Sequence, residues 1–140
     1  MRKVTGSFDA TGAILTIGVG FVPDYVKVTN IDSANLESIE YDISMLDGTS
    51  IGGGIKRSGL QSVSDSKLSA AAGIIAQTDG ATAETGNTSK FVKTEGEDYS
   101  YMPAAAGKPC PSGFQLAADA DVNVSGEACI FEAGFYDGTP

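Results

Sequence analysis

Few residues in this chain of 140 are of types that do chemistry, and their spacing decides against most of what they would do. Asp119-x-Asp121-x-Asn123 sets carboxylate and amide oxygens at alternate positions, the hard donors that suit a cation such as calcium. A calcium loop of the EF-hand type needs glycine at its sixth position and a bidentate glutamate at its twelfth, where this chain has Val124 and Ile130. The segment reads instead as a turn whose Asp and Asn side chains bond nearby backbone amides. Gly52-Gly53-Gly54-Ile55-Lys56-Arg57 has the glycine content of a phosphate loop without its glycine-to-lysine spacing, and is expected to be a flexible loop. Glu95, Glu97 and Asp98 are carboxylates of the kind a glycosidase pair uses, but on so acidic a chain they read as a solvated loop.

No histidine is present, which removes the side chain most used as general base or zinc ligand near neutral pH and excludes every His-containing triad. The two cysteines, Cys110 and Cys129, are separated by 18 residues, unlike metal-binding CxxC spacing, and are expected to be reduced, buried thiols. No nucleophile with a base and no ligand cluster can be assembled, so the chain is expected to be no enzyme and to hold no cofactor or metal. One cluster points to a partner: Tyr99-Ser100-Tyr101-Met102-Pro103. Aromatic residues and Met are enriched at protein interfaces, which makes Tyr99, Tyr101 and Met102 the candidate contact residues.

Short strands make up the regular parts of the chain that would carry these residues. Lys3–Phe8 is short and β-rich, Asp9–Gly12 reads as a turn, and Ala13–Ile17 resumes an apolar strand, together a hairpin-like unit. Pro23 lies in a link because it cannot donate to a central ladder. In Tyr25–Asn30, Val26 and Val28 share one face while Tyr25, Lys27 and Thr29 share the other, the alternation of a half-buried strand. Glu37–Ile43 follows as a strand with Ile39, Tyr41 and Ile43 inward. Regularity returns with Gly113–Ala117 and with Glu127–Tyr136, whose apolar content predicts a central position in its sheet. Between the regular parts, 1–45 and 113–136, residues 52–111 read as a long irregular insertion. Within it Leu68, Ala71, Ala72 and Ile75 fall at the spacing of a weak short helix, and residues 78–90 are a small, polar loop. Frequent glycine with short strands predicts an all-β single domain over 1–140, a β-sandwich or jelly-roll-like barrel.

Nine Lys and Arg against eighteen Asp and Glu give a net charge of −9, which argues against nucleic acid as a partner, since phosphate binding depends on displaced counterions. Forty-one per cent apolar residues without a long apolar run describe a globular chain with no membrane span. The basic start Met1-Arg2-Lys3 has no apolar stretch behind it, so no secretory signal is expected and the chain is expected to be made in a cytoplasm.

Two phrases carry a family resemblance. Gly18-x-Gly20-Phe21-x-Pro23-Asp24-x-Val26-x-Val28-x-Asn30 resembles a link-and-strand phrase of small virion proteins of tailed bacteriophages. Gly113-Phe114-x-Leu116, then Asp121-x-Asn123-x-x-Gly126-Glu127 and Ile130-Phe131-Glu132-Ala133, is similar to the ending of the same group. Together they cover about 20 residues at one end and about 25 at the other. Phe131 stands where the group has a larger aromatic, and Cys129 where a tyrosine is common. The resemblance is greatest to capsid decoration, or cement, proteins. It implies a non-catalytic virion protein on the outer capsid surface that bridges capsomers, partnered by the phage major capsid protein and by itself as a homotrimer. A tail-fibre module binding a receptor or carbohydrate is the alternative, with Tyr99, Tyr101 and Tyr136 as its aromatic candidates.

Overall fold

A computed structural model of the chain describes residues 2–19, 21–45, 51–59, 65–77, 89–94, 100–103 and 113–136. Among the described residues eleven strands run in the order β1 (Arg2–Asp9), β2 (Leu15–Gly18), β3 (Tyr25–Asn30), β4 (Ser38–Asp42), β5 (Gly54–Arg57), β6 (Ser66–Leu68), β7 (Ile74–Gln77), β8 (Ser89–Thr94), β9 (Ser100–Pro103), β10 (Gly113–Leu116) and β11 (Ala128–Phe135). They form an eight-stranded sheet, β6-β5-β4-β3-β11-β1-β8-β9, and a three-stranded sheet, β2-β10-β7. All pairings are antiparallel. The fold is all-β, and the apolar final strand β11 is central, between β3 and β1.

The two sheets meet through aromatic rings. Phe114 of β10 sits edge-on to Phe131 of β11 with centroids 5.5 Å apart, and Phe8 of β1 lies 6.1 Å from Phe131. Around them Leu15 and Ile17 from β2, Val26 and Val28 from β3, Ile39 and Tyr41 from β4, and Ile74 from β7 close one core. Period-two alternation sets which residues enter it: Val26, Val28 and Asn30 are buried along β3, while Tyr25, Lys27 and Thr29 are not. Ile43 departs from expectation. β4 ends at Asp42, and Ile43 opens a 3-10 turn (Ile43–Met45) with its side chain exposed.

The expected β1–β2 hairpin does not form; β1 pairs with β11 and β8 in the large sheet, and β2 pairs with β10 in the small one. Gly12 adopts φ +79°, and the Asn123 side chain accepts the N–H groups of Thr11 and Gly12 at 3.2 and 3.1 Å. The segment therefore crosses from one sheet to the other.

The middle of the chain, expected to be irregular, supplies β5 to β9. The glycine-rich segment is a buried tight turn and not a flexible loop. Gly53 and Gly73 let two backbones touch, for a Cβ on Gly53 would stand 2.0 Å from Ser69 O and one on Gly73 2.1 Å from Gly53 O. Backbone bonds from Gly53 N to Leu68 O and from Ile74 N to Gly53 O, both 2.9 Å, fix that approach. The helical spacing from Leu68 to Ile75 resolves into the end of β6, a 3-10 turn over Ala70–Ala72, and β7. A Gly73 backbone clamped against Gly53 cannot continue a helix. Of the loop expected at 78–90, Ser89 and Lys90 begin β8, and 78–88 lie outside the described residues.

Candidate interaction face

The outer face of the large sheet is built by register. Thr29 of β3 stands opposite Ile130 of β11, Ile130 opposite Ser7 of β1, Ser7 opposite position 91 of β8, and position 91 opposite position 101 of β9. The neighbouring row runs Glu40, Lys27, Glu132, Thr5 and then position 93. Where these rows cross the central strands they leave a depression of about 480 Å³ lined by Thr5, Ser7, Lys27, Thr29, Ile130 and Glu132. Ile130 is 46 % exposed within it, while its chain neighbours Cys129 and Phe131 are in the core.

Charge on this face departs from that of the chain: by register Lys3, Lys27, Arg57, Lys67 and Lys93 share its rows with Asp9, Glu40, Asp42 and Glu132, whereas the whole chain carries −9. Lys3 Nζ meets Glu132 Oε2 diagonally at 3.2 Å, a half-exposed pair that contributes only about 0.5 kcal/mol. Lys27 and Glu40 stand directly opposite each other, yet among the described residues neither forms an ion pair. At the end of the face the Tyr25 phenol is pushed up to about 12 by burial and then by the carboxylates of Glu132, Glu40 and Asp42.

The candidate contact residues fall partly on this sheet. Tyr101 and Met102 lie on the edge strand β9, paired with Phe91 and Lys90, and Tyr101 holds the end of the Ile130 row. Tyr99 lies outside the described residues, as do Glu95, Glu97, Asp98 and Cys110. Tyr136 is not on the same platform as Tyr101. It follows Ile130 by six residues, roughly 20 Å along the strand direction, and its hydroxyl is held by Asp42 Oδ2. That bond is the main reason its pKa is pushed up to about 12. Asp42 shows the reverse: burial alone would raise its carboxyl, but bonds from Tyr136 and Ser44 outweigh it and lower the pKa.

The Asp119–Asn123 segment is the expected turn. Asp119 Oδ1 accepts the N–H groups of Asp121 and Val122 at 2.9 and 3.0 Å. Asn123 Nδ2 donates to Ala13 O and Ala117 O. The positive charge at this turn is the protein's own, since Lys56 Nζ from β5 pairs with Asp119 at 3.1 Å and with Asp121. Burial would lower the Lys56 pKa, but hydrogen bonds and charge from the two carboxylates outweigh it and raise it. Beside the turn, Asn30 is fully buried and donates to Asp121 O and Glu127 Oε2 at 2.9 and 2.8 Å. Cys129 is a free, buried thiol that donates to Val122 O at 3.2 Å. Burial first, then Glu127, Asp32 and Asp9, push its pKa up to about 12, far from a reactive thiolate.

Sequence reasoning missed Ile130, Lys27, Glu40 and Glu132 as a shared surface. One signal was available: Ile130 and Glu132 are two apart and so must share a face, with Cys129, Phe131 and Ala133 on the other. No family model, curated protein or solved structure matches this chain. Among the described residues no helix is long and apolar enough to cross a membrane.

Proposed function

We propose that this chain is a non-enzymatic structural protein of a tailed-phage particle, a decoration protein that binds the outer capsid surface and bridges capsomers. The proposal starts from the two phrases it shares in resemblance with small phage virion proteins. The observation that supports it most is the sheet edge: β9 ends the eight-stranded sheet and sets Tyr101 in the outer-face row of Ile130, with Met102 in the alternate row that runs through Lys90 and Phe8. Such a surface suits another protein better than a small substrate, because its polar groups are spread along rows and do not converge on one reacting atom. The partners in this reading are the major capsid protein, met through Tyr99, Tyr101 and Met102, and other copies of the chain in a homotrimer. Nucleic acid and membrane are not partners, and the protein resides on the virion exterior, where a charge of −9 keeps it soluble without repelling packaged DNA. Each contact is weak by itself, and many copies on one shell add up through avidity.

The test is re-addition of purified protein to particles assembled without it. Those particles are expected to form but to rupture or lose DNA at lower temperature, and added protein is expected to restore them. Replacing Tyr99 and Tyr101 with Ala is expected to weaken attachment and leave the isolated fold unchanged. Failure of the parent protein to bind particles, with retention on host cells or glycans instead, would replace this reading with the tail-fibre module.

A further inference from the structure

We infer that the depression on β1, β11 and β3 is a binding site for a neutral saccharide, with one pyranose ring over Ile130 and its hydroxyls reaching the residues around it. The inference goes beyond the decoration reading and does not depend on it.

The site is an array set by register. Ser7, Ile130 and Thr29 stand side by side in one row, and Thr5, Glu132 and Lys27 in the next. Three strands by two rows span about 10 Å by 7 Å, since neighbouring strands lie about 4.8 Å apart and alternate residues about 6.8 Å apart along a strand. The depression over this array, about 480 Å³, is of the size that holds a small ligand. Hydrogen-bonding side chains occupy its four corners, and Ile130, 46 % exposed, lies between two of them. A pyranose has the complementary layout: its C–H bonds make an apolar face, and its hydroxyls project from the rim.

Unused bonding capacity is the second observation. Among the described residues the side chains of Thr5, Ser7, Thr29 and Lys27 make no hydrogen bond or ion pair. Lys27 lies between Glu132 and Glu40 in its row and pairs with neither, whereas Lys3, Lys56 and Arg57 each meet a carboxylate. Glu132 gives Oε2 to Lys3 and keeps Oε1 as an acceptor. A charged donor and a charged acceptor therefore stand opposite each other on neighbouring strands, with three hydroxyls around them that work in either sense.

That pairing selects the ligand chemistry. An alcohol satisfies both groups at once, because its oxygen accepts from Lys27 while its proton goes to Glu132. A carboxylate has no proton for Glu132 and approaches a chain that carries −9. An ammonium has no lone pair for Lys27, and Glu132 already holds one ammonium in Lys3. The array contains no nucleophile with a base, so the sugar is held and not turned over.

Titration of the isotope-labelled full chain with the methyl glycosides of glucose, galactose, mannose and N-acetylglucosamine tests this, read from amide chemical shifts. Glucuronic acid and glucosamine serve as the anionic and cationic counterparts. At least one neutral glycoside is expected to bind with a Kd on the order of 1 mM, the strength of one open subsite, shifting the amides of Thr5, Ser7, Lys27, Thr29 and Ile130. Both charged sugars should bind more weakly than that glycoside. Lys27→Met, which keeps the apolar stem, should weaken binding about tenfold, and Thr29→Val about threefold or more. Ile14→Ser, at a residue 57 % exposed on the crossing to the small sheet, should leave it unchanged. If Lys27→Met does not fold, Thr29→Val decides. No binding by any of the four glycosides at about 50 mM overturns the inference, as do shifts confined to other residues, affinity untouched by the deciding variant or equally weakened by Ile14→Ser, and tighter binding of either charged sugar. Sugar binding by a chain that ignores particles would keep this site and discard the decoration reading; attachment to particles without sugar binding would do the reverse.

Discussion

Asn123 holds the Gly12 N–H through its Oδ1 at 3.1 Å, joining two loops 111 positions apart and setting where the chain leaves the large sheet for the small one. The same side chain takes Thr11 N–H and donates to Ala13 O and Ala117 O, so one buried amide uses both its ends on four backbone groups.

Asn123→Ala is expected to destabilise the fold by about 2 kcal/mol, read as a lower urea midpoint with an unchanged slope, because buried Ala117 O loses its donor while the exposed groups recover water. Asn123→Asp should be at least as damaging. It keeps an acceptor for Thr11 and Gly12 but sets a carboxylate against two carbonyl oxygens.

Neighbours on β11 should behave oppositely. Phe131→Ala removes the ring that meets both Phe8 and Phe114 and is expected to cost about 3–5 kcal/mol in denaturant unfolding. Ile130→Thr keeps a β-branched residue on the open face and should stay within about 0.5 kcal/mol. Equal effects would mean that the face assignment of the strand is wrong.

Alkali should unfold the protein earlier than ordinary tyrosines would. Tyr25 and Tyr136 are raised from 10.0 to about 12 in the fold, so above pH 10 the unfolded chain has released protons that the native state retains, and stability falls as pH rises from 10.0 toward 12. Lys56 acts in the same direction: its pKa is raised from 10.5, so its contribution is complete below 10.5 and is lost as pH climbs through the folded value. Tyrosinate absorbance should show Tyr25, Tyr41 and Tyr136 titrating late, and Tyr136→Phe should remove one of the three.

Cys129 should not react with a thiol reagent until the protein unfolds, because it is buried and its pKa is about 12. Replacing both cysteines with Ala is expected to cost about 1–3 kcal/mol and to leave gel mobility the same with and without reductant. Rapid native labelling of Cys129 in a Cys110→Ala background would contradict the packing around Val122.

Local alternation made several elements legible. Val26 and Val28 against Lys27 and Thr29, and the run from Cys129 to Ala133, specify strands and their core faces with no knowledge of partners, since the side-chain period of a strand is a property of its own backbone. The Asp119 turn was legible for the same reason, its bonds closing within three residues. The middle was not. Gly54–Arg57, Ser66–Leu68 and Ile74–Gln77 are short and have little alternation, and they are strands because β4, β5 and β10 in turn offer them edges and because Gly53 and Gly73 admit close backbones. Apolar content and alternation are local quantities, and they suffice to specify an all-β chain with β11 at its centre. That β1 and β2 part company at Gly12, and that Ile130, Lys27, Glu40 and Glu132 share one face, follows from pairings between distant segments. Both facts depend on register between strands distant in the chain, and register is settled by the packing of Phe114 against Phe131 and by the bonds of Asn123, which no local pattern encodes.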